Sequence, residues 1–228
     1  MTSTATLSTT FTCWPTSLYQ ADLASLEGPG LGPETVEEMN SQLRTLILEA
    51  EPRQPEDCRF GVIGAQKSSL DILRWDHPAV DWLRGRILAA LRDLTLDALL
   101  DKEELAAKVF EKSEIRTEGW AVVYRQGDSH RPHTHHDSAF SGTYYIETGG
   151  IGREGGHLQL LDPRPAAVAR QTSPGVYTVQ TRPGLLVGLP VLDAAQCAGL
   201  SPRQRNPHLH LPGTPRSTPR RPLHERSP

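Results

Sequence analysis

From residue 118 the chain becomes a succession of short apolar runs: GWAVVYRQG, SGTYYIE, GGHLQLLDP, GVYTVQT and GLLVGLP. Each opens on or beside a glycine, and of the last three two close on Pro, so none leaves room for a helix of useful length. Val, Leu, Tyr and Thr dominate them, side chains suited to a pleated, half-buried surface. Strands this short and this often interrupted predict a barrel or a double-sheet jelly roll. The residues before them carry a different period. Val36, Met39, Leu43 and Ile47 recur at steps of three and four over 34–50. Leu83, Ile87 and Leu91 do so over 78–97, with Pro78 placed for a first turn. A third helix is expected over 100–112 (LDKEELAAKVFEK). Helices first and strands after predict an α+β chain whose N-terminal helices buttress a β-sandwich.

Four segments follow from this. Residues 1–33 read as irregular, 34–117 as helical support, 118–190 as the β core and 191–228 as a Pro/Arg-rich tail. With 37% hydrophobic and 22% charged residues, the chain has enough apolar material for a core. The net charge of −3 argues against nucleic acid as a partner. It hides a split: residues 1–200 sum to −8, while 201–228 hold six Arg against one Glu, with seven Pro and three His. The tail lacks any hydrophobic period and reads as disordered. It begins, however, where the β core still needs a strand, and open sheet edges are avoided. Cys13, Cys58 and Cys197 form neither a disulfide framework nor a C-x-x-C motif, which fits reduced thiols in a cytoplasmic protein. The N-terminus lacks the basic and apolar blocks of a signal peptide. No stretch approaches the ~18 apolar residues of a membrane span.

Four of the nine histidines fall between His130 and His136, in HRPHTHHDSAFSGTYYI. His133 and His135 form His-x-His, and His135 and Asp137 form His-x-Asp. On a strand, residues two apart share a face, so either pair presents two ligands to one ion. Imidazole plus carboxylate suits Fe(II) once a second His arrives, leaving three positions open. Three imidazoles suit zinc. A solvated loop of histidines would show the same spacing. His130 and His136 read as bystanders, and His157 as an ordinary strand residue.

Several motifs in order make the reading more specific. YRQGDSHRPHTHHDSAFSGTYYIETGG, EGGHLQLLDPR and RPGLLVGLP, spanning roughly residues 118–190, resemble the 2-oxoglutarate/Fe(II)-dependent oxygenases. The likeness is to the prolyl-4-hydroxylase-like part of that superfamily, and to a largely uncharacterised bacterial and phage group within it. A weaker echo lies in GAQKSSLDILRWDHPAVDWL. The resemblance implies a double-stranded β-helix (jelly-roll, cupin-like) core, Fe(II), 2-oxoglutarate as co-substrate and ascorbate as an accessory. It implies His135 and Asp137 as the first iron ligands, with His133 a rival to Asp137. It also implies Tyr145, Tyr124 and Ser141 as residues of the co-substrate pocket. Arg164, in the DPR motif, matches a feature of the group. The substrate expected is a small molecule or a protein side chain.

That family pattern continues with S-W-x-x-H directly after the GLLVGLP run, and then with a strand bearing an Arg. Here Val191-Leu192-Asp193-Ala194-Ala195 follows instead, and His208, His210 and His224 lie in the tail. Codons permitted for Val191 onward, read one base later, yield S-W-M-L-H and then SVRAFHPGSGTRISISLEL through Thr214. A shifted reading frame would therefore restore the distal His, the Arg and the closing strand. As written, the chain is expected to be inactive or poorly folded. The rival readings are a non-catalytic or zinc-binding cupin-like module, and an interaction protein acting through its basic tail.

Overall fold

Pro33 and Pro78 each occupy a first helical turn, where a missing N–H costs nothing and the ring presets φ. They start helices α1 (Pro33–Ala50) and α2 (Pro78–Ala98). The apolar periods become buried faces: Val36, Leu43 and Ile47 on α1, and Val80, Leu83, Ile87 and Leu94 on α2. His77 caps α2, its Nδ1 accepting from the Ala79 N–H at 3.2 Å. The third expected helix is α3 (Glu103–Lys112). The computed structural model describes residues 16–53, 61–99, 103–135, 137–149, 156–171, 173–190, 197–198 and 206–212. Cys13 and Cys58 lie outside these. Among the described residues no helix is long and apolar enough to cross a membrane.

All five runs after residue 118 form strands: β4 (Trp120–Tyr124), β6 (Phe140–Tyr145), β7 (Leu158–Leu161), β8 (Val176–Val179) and β9 (Leu185–Pro190). A short helix, α4 (Pro165–Ala169), follows β7. Shorter strands are β1 (Tyr19–Asp22), β2 (Val62–Ile63), β3 (Gln66–Lys67), β5 (Ser129–His130) and β10 (Cys197–Ala198). The last strand, β11, spans Asn206–Pro212. One antiparallel sheet has the order β1-β9-β6-β11-β4-β3; a second is β10-β7-β8, and β2 pairs with β5. The fold is a mixed helix and strand architecture, and among the described residues the sheets do not close into a barrel.

Two expectations are corrected. Residues 1–33 are not wholly irregular, because β1 pairs with β9 from Tyr19↔Gly188 to Asp22↔Leu185. Nor is the whole tail without a strand. β11 lies between β4 and β6, with His208 opposite both Val122 and Tyr145. Pro207 hides this strand in the sequence, since proline gives no N–H to a ladder and argues against a central position. The register comes from the two neighbours.

The main core fills the space between the helices and one face of the large sheet. Val36, Leu43, Ile47, Leu83 and Ile87 meet Ala121, Val123, Tyr144 and Leu186 there. Tyr144 is fully buried and donates to Asn40 Oδ1 at 2.7 Å. Burial pushes its hydroxyl pKa up. Gly142 of the SGTYY motif is required by close approach: a Cβ would sit 2.5 Å from the Val187 carbonyl oxygen. Gly184 of the PGLLVG motif has φ +85°, a conformation that favours glycine. The opposite face carries two smaller clusters, Tyr145 with Leu158, Val179, Leu185 and Val187, and Trp120 with Ala65, Val122 and Tyr124.

Candidate metal and co-substrate site

Alternation along β4 sends Ala121 and Val123 to the helices and Trp120, Val122 and Tyr124 to the other face. Lys67 of β3 lies opposite Val122 and so shares that second face. Its ammonium stands 4.3 Å from the Trp120 ring centroid. After β4 the chain turns and returns through β5, where buried His130 meets Tyr124: the hydroxyl and Nδ1 are 2.7 Å apart. The His130 ring stacks on His133, with centroids 4.6 Å apart and planes 17° from parallel.

His133 then has its tautomer set. Its Nδ1 lies 2.9 Å from the Arg131 carbonyl oxygen, which only accepts, so Nδ1 carries the proton and Nε2 keeps a lone pair. That Nε2 is 3.0 Å from Nε2 of His135, the two rings nearly perpendicular at 80°. Burial pushes the His133 pKa down, the Arg131 carbonyl opposes this, and the charge of Lys67 adds to the lowering. The neutral ring is the form that binds metal. The His135 carbonyl accepts from both the Ser138 N–H (3.1 Å) and the Ser138 hydroxyl (3.0 Å), which closes the loop beneath the pair. Two imidazole nitrogens converging on one point, one of them oriented by a backbone carbonyl, fit a divalent transition metal.

The other expected residues fall as follows. Asp137 lies exposed in the turn after His135, and it is His133 whose Nε2 meets His135. His136 and His224 lie outside the described residues. Among the described residues no group of three His, Cys, Asp or Glu ligands forms. Tyr124 reaches the cluster through His130. Tyr145 and Ser141 are buried and share one face of β6. Tyr145 occupies the same register row as Val122, with β11 between them, two strand spacings or about 10 Å away. His157 immediately precedes β7. Arg164 donates to Asp162 through Nε (2.9 Å) and an Nη (2.7 Å). Hydrogen bonds from Arg164 and from Ser173 hold the Asp162 carboxyl below the usual carboxylate range, so the DPR motif locks its own turn. Sequence reasoning missed Lys67, which sits in a two-residue strand with no readable period, and set aside His130, whose role depends on a stacking partner three residues on.

Residues 118–190 match the family described as "Putative 2OG-Fe(II) oxygenase". No curated protein sequence matches the chain. Among solved structures it is similar to a prolyl-4-hydroxylase from Pseudomonas putida, with TM-score 0.57 and 18% identity over 88% of this chain and 94% of that one. It is also similar to a prolyl hydroxylase from Trichoplax adhaerens, solved in complex with a hypoxia inducible factor peptide fragment (TM-score 0.55, 9% identity, 86% and 83% covered). A third is HygX from Streptomyces hygroscopicus, with nickel and 2-oxoglutarate bound (TM-score 0.53, 12% identity, 87% and 83% covered). Identities this low speak for the fold rather than the activity. The chain therefore shares the fold of these solved structures and, over residues 118–190, matches the putative 2OG-Fe(II) oxygenase family.

Proposed function

We propose that this chain is built as an Fe(II)/2-oxoglutarate-dependent dioxygenase, a hydroxylase on a double-stranded β-helix core. The observation that carries the reading is the convergence of His133 Nε2 and His135 Nε2 at 3.0 Å, within the family segment. These two imidazoles are the metal ligands, and Asp137 is the rival for the place of His133. Fe(II) held there would supply the oxygen chemistry that couples oxidative decarboxylation of 2-oxoglutarate to hydroxylation of a C–H bond. The chain's own share is placement. The Arg131 carbonyl fixes the His133 tautomer, His130 and Tyr124 hold its ring plane, and Ser138 holds the His135 backbone. Tyr145, Ser141 and Tyr124 line the co-substrate pocket, and the apolar cluster around Tyr145 excludes water. The substrate is a small molecule or a protein side chain.

Ni(II) titration of the full chain tests this. His133→Ala and His135→Ala should each weaken uptake roughly tenfold or more, whereas Asp137→Ala should leave it unchanged. Loss with Asp137→Ala and none with His133→Ala would reverse the ligand assignment. A zinc-only module would bind metal without ever turning over 2-oxoglutarate.

The reading extends to the C-terminus, which we propose is read one base out of frame after about residue 190. The pairing of β11 supports this. Residues 206–212 take the central slot between β4 and β6, and the shifted reading gives T-R-I-S-I-S-L at those positions, a far better strand than N-P-H-L-H-L-P. A cavity of about 580 Å³ lies between α2, α3 and the ends of β6 and β9, lined by Leu91, Leu94, Val109, Phe140 and Gly142 among others. β11 ends beside it, with Pro212 opposite Ser141. In sequence the shifted frame reads Leu-Glu-Leu over 212–214, where the written chain has Pro-Gly-Thr. Codons at 191–195 incompatible with S-W-M-L-H would sink the proposal. Turnover of 2-oxoglutarate is expected in the frame-corrected chain and not in the written one.

A further inference from the structure

We propose that the cavity between α2, α3 and the large sheet is a second binding site, for a neutral, ring-bearing apolar small molecule. It stands apart from the oxygenase reading. α2 walls the cavity with Ile87, Ala90, Leu91, Leu94 and Thr95, two helical turns or about 12 Å. The floor is the sheet at Phe140, Gly142 and Gly188. The two glycines pair across β6 and β9, so the floor is bare of side chains there. β6 alternates: Phe140 and Gly142 share the side of Tyr144, in the helix core, and Ser141 shares that of Tyr145. The cavity therefore opens on the opposite side of the sheet from the proposed co-substrate pocket. Its volume of about 580 Å³ falls within the range of small-molecule sites.

The lining selects the ligand. Thr95, the polar residue of the helix wall, donates its hydroxyl to the Leu91 carbonyl at 2.7 Å. Leu91, Leu94 and Leu186 offer hydrocarbon, while Phe110 of α3 and Phe140 of β6 add rings against which an aromatic ligand packs. The charged lining residues, Glu114, Arg116 and Glu118, all lie on the segment after α3. Arg116 donates to both carboxylate oxygens of Glu114, at 3.1 and 3.0 Å, so Glu118 leaves this rim with one negative charge. That disfavours an anion. At the mouth, Val109 and Ile115 are 38% and 41% exposed, whereas Ile87 and Leu94 on the inner wall are each 4% exposed. A ligand seated between them buries apolar surface that the empty site leaves in water.

The test is a fluorescence titration of the full chain with N-phenylnaphthylamine, a neutral ring probe, beside anilinonaphthalene sulfonate, its anionic counterpart. One neutral probe should bind per chain and raise the unfolding temperature, as a ligand of the folded state does. The sulfonate should bind roughly tenfold more weakly. Ile115→Glu alters an exposed residue, so the fold is kept, and the charge it sets at the mouth should weaken the neutral probe roughly tenfold. Ala90→Phe fills the cavity from the helix wall and should abolish binding. If that variant fails to fold, Ile115→Glu decides alone. No binding overturns the site, and so does binding that Ile115→Glu leaves untouched. An unfolding temperature that the probe does not move, or a sulfonate bound equally well, overturns it too. Binding seen only after deletion of residues 1–15 would assign the cavity to that segment, and binding lost as the chain dimerises would assign it to a second copy. Either result overturns the small-molecule site.

Discussion

On the face of the large sheet that meets α1 and α2, Leu43, Leu83, Ala121, Val123, Tyr144 and Leu186 form one continuous cluster, each at most 2% exposed. Across the same strands, the apolar material is split into two small groups, and beside the one around Trp120 and Tyr124 stand Lys67, His130, His133 and His135. One face is held by non-directional burial; the other by rings and hydrogen bonds that each have one geometry. The contrast teaches where change is tolerated. The helix face sets whether the chain folds, and the histidine face sets what the folded chain holds, so substitutions on the two should separate in their readouts.

The largest expected effect is on the helix face. Leu83 is 1% exposed and central to the cluster. Leu83→Ala should cost about 2–5 kcal/mol in urea unfolding, through lost burial and the cavity left behind. Metal bound per folded molecule should not change. A loss of metal affinity in the fraction that remains folded would break the separation between faces. Tyr144→Phe comes next. It removes the donor to Asn40 Oδ1, leaving a buried amide short of a partner, and should cost about 1–3 kcal/mol. Tyr124→Phe on the other face should do the reverse. Freeing His130 from its 2.7 Å partner loosens the ring stacked on His133. Ni(II) affinity should fall about tenfold while the unfolding midpoint moves little.

How far the sequence carried this picture depends on what each element is made of. The helices were legible because Val36, Leu43 and Ile47, or Leu83 and Ile87, mark one face by spacing alone. β4, β6 and β9 were legible because their glycines punctuate apolar runs, and Gly142 and Gly184 now have steric reasons for being there. β11 was not, because Pro207 speaks against a strand that only its two neighbours can impose. The site was half legible. His-x-Asp was read with strand periodicity, which would put His135 and Asp137 on one face. Residues 131–135 and 137–138 lie in loop and turn instead, so the period of two does not hold and Asp137 ends exposed. His133 turns inward because the Arg131 carbonyl and the His130 ring position it, and both are tertiary facts. Lys67 carries no local signal at all; only its register with Val122 reveals it.

The smallest predicted effect probes the sheet's edge, which belongs to neither face. β1 is held to the turn before β9 by Asp22, which accepts from Arg182 Nε at 2.7 Å and from the Ser25 hydroxyl at 2.8 Å. Burial pushes the Asp22 carboxyl pKa up, but the bonds from Arg182 and Ser25 outweigh it and leave it below the ordinary value. A depressed folded-state pKa means the contribution is complete above the unfolded value of about 3.9 and is lost as pH falls through the folded one. Arg182 is half exposed, so the pair is worth roughly 0.2–1 kcal/mol. Asp22→Asn should therefore lower stability slightly at pH 7, and its difference from wild type should shrink below about pH 4. Amide exchange is expected to quicken in Tyr19–Asp22 and not in β4 or β6, with Ni(II) uptake at pH 7 unaltered. Faster exchange reaching Trp120–Tyr124 would show that the edge and the histidine face share one cooperative unit, and the division between faces would have to be redrawn along the strands.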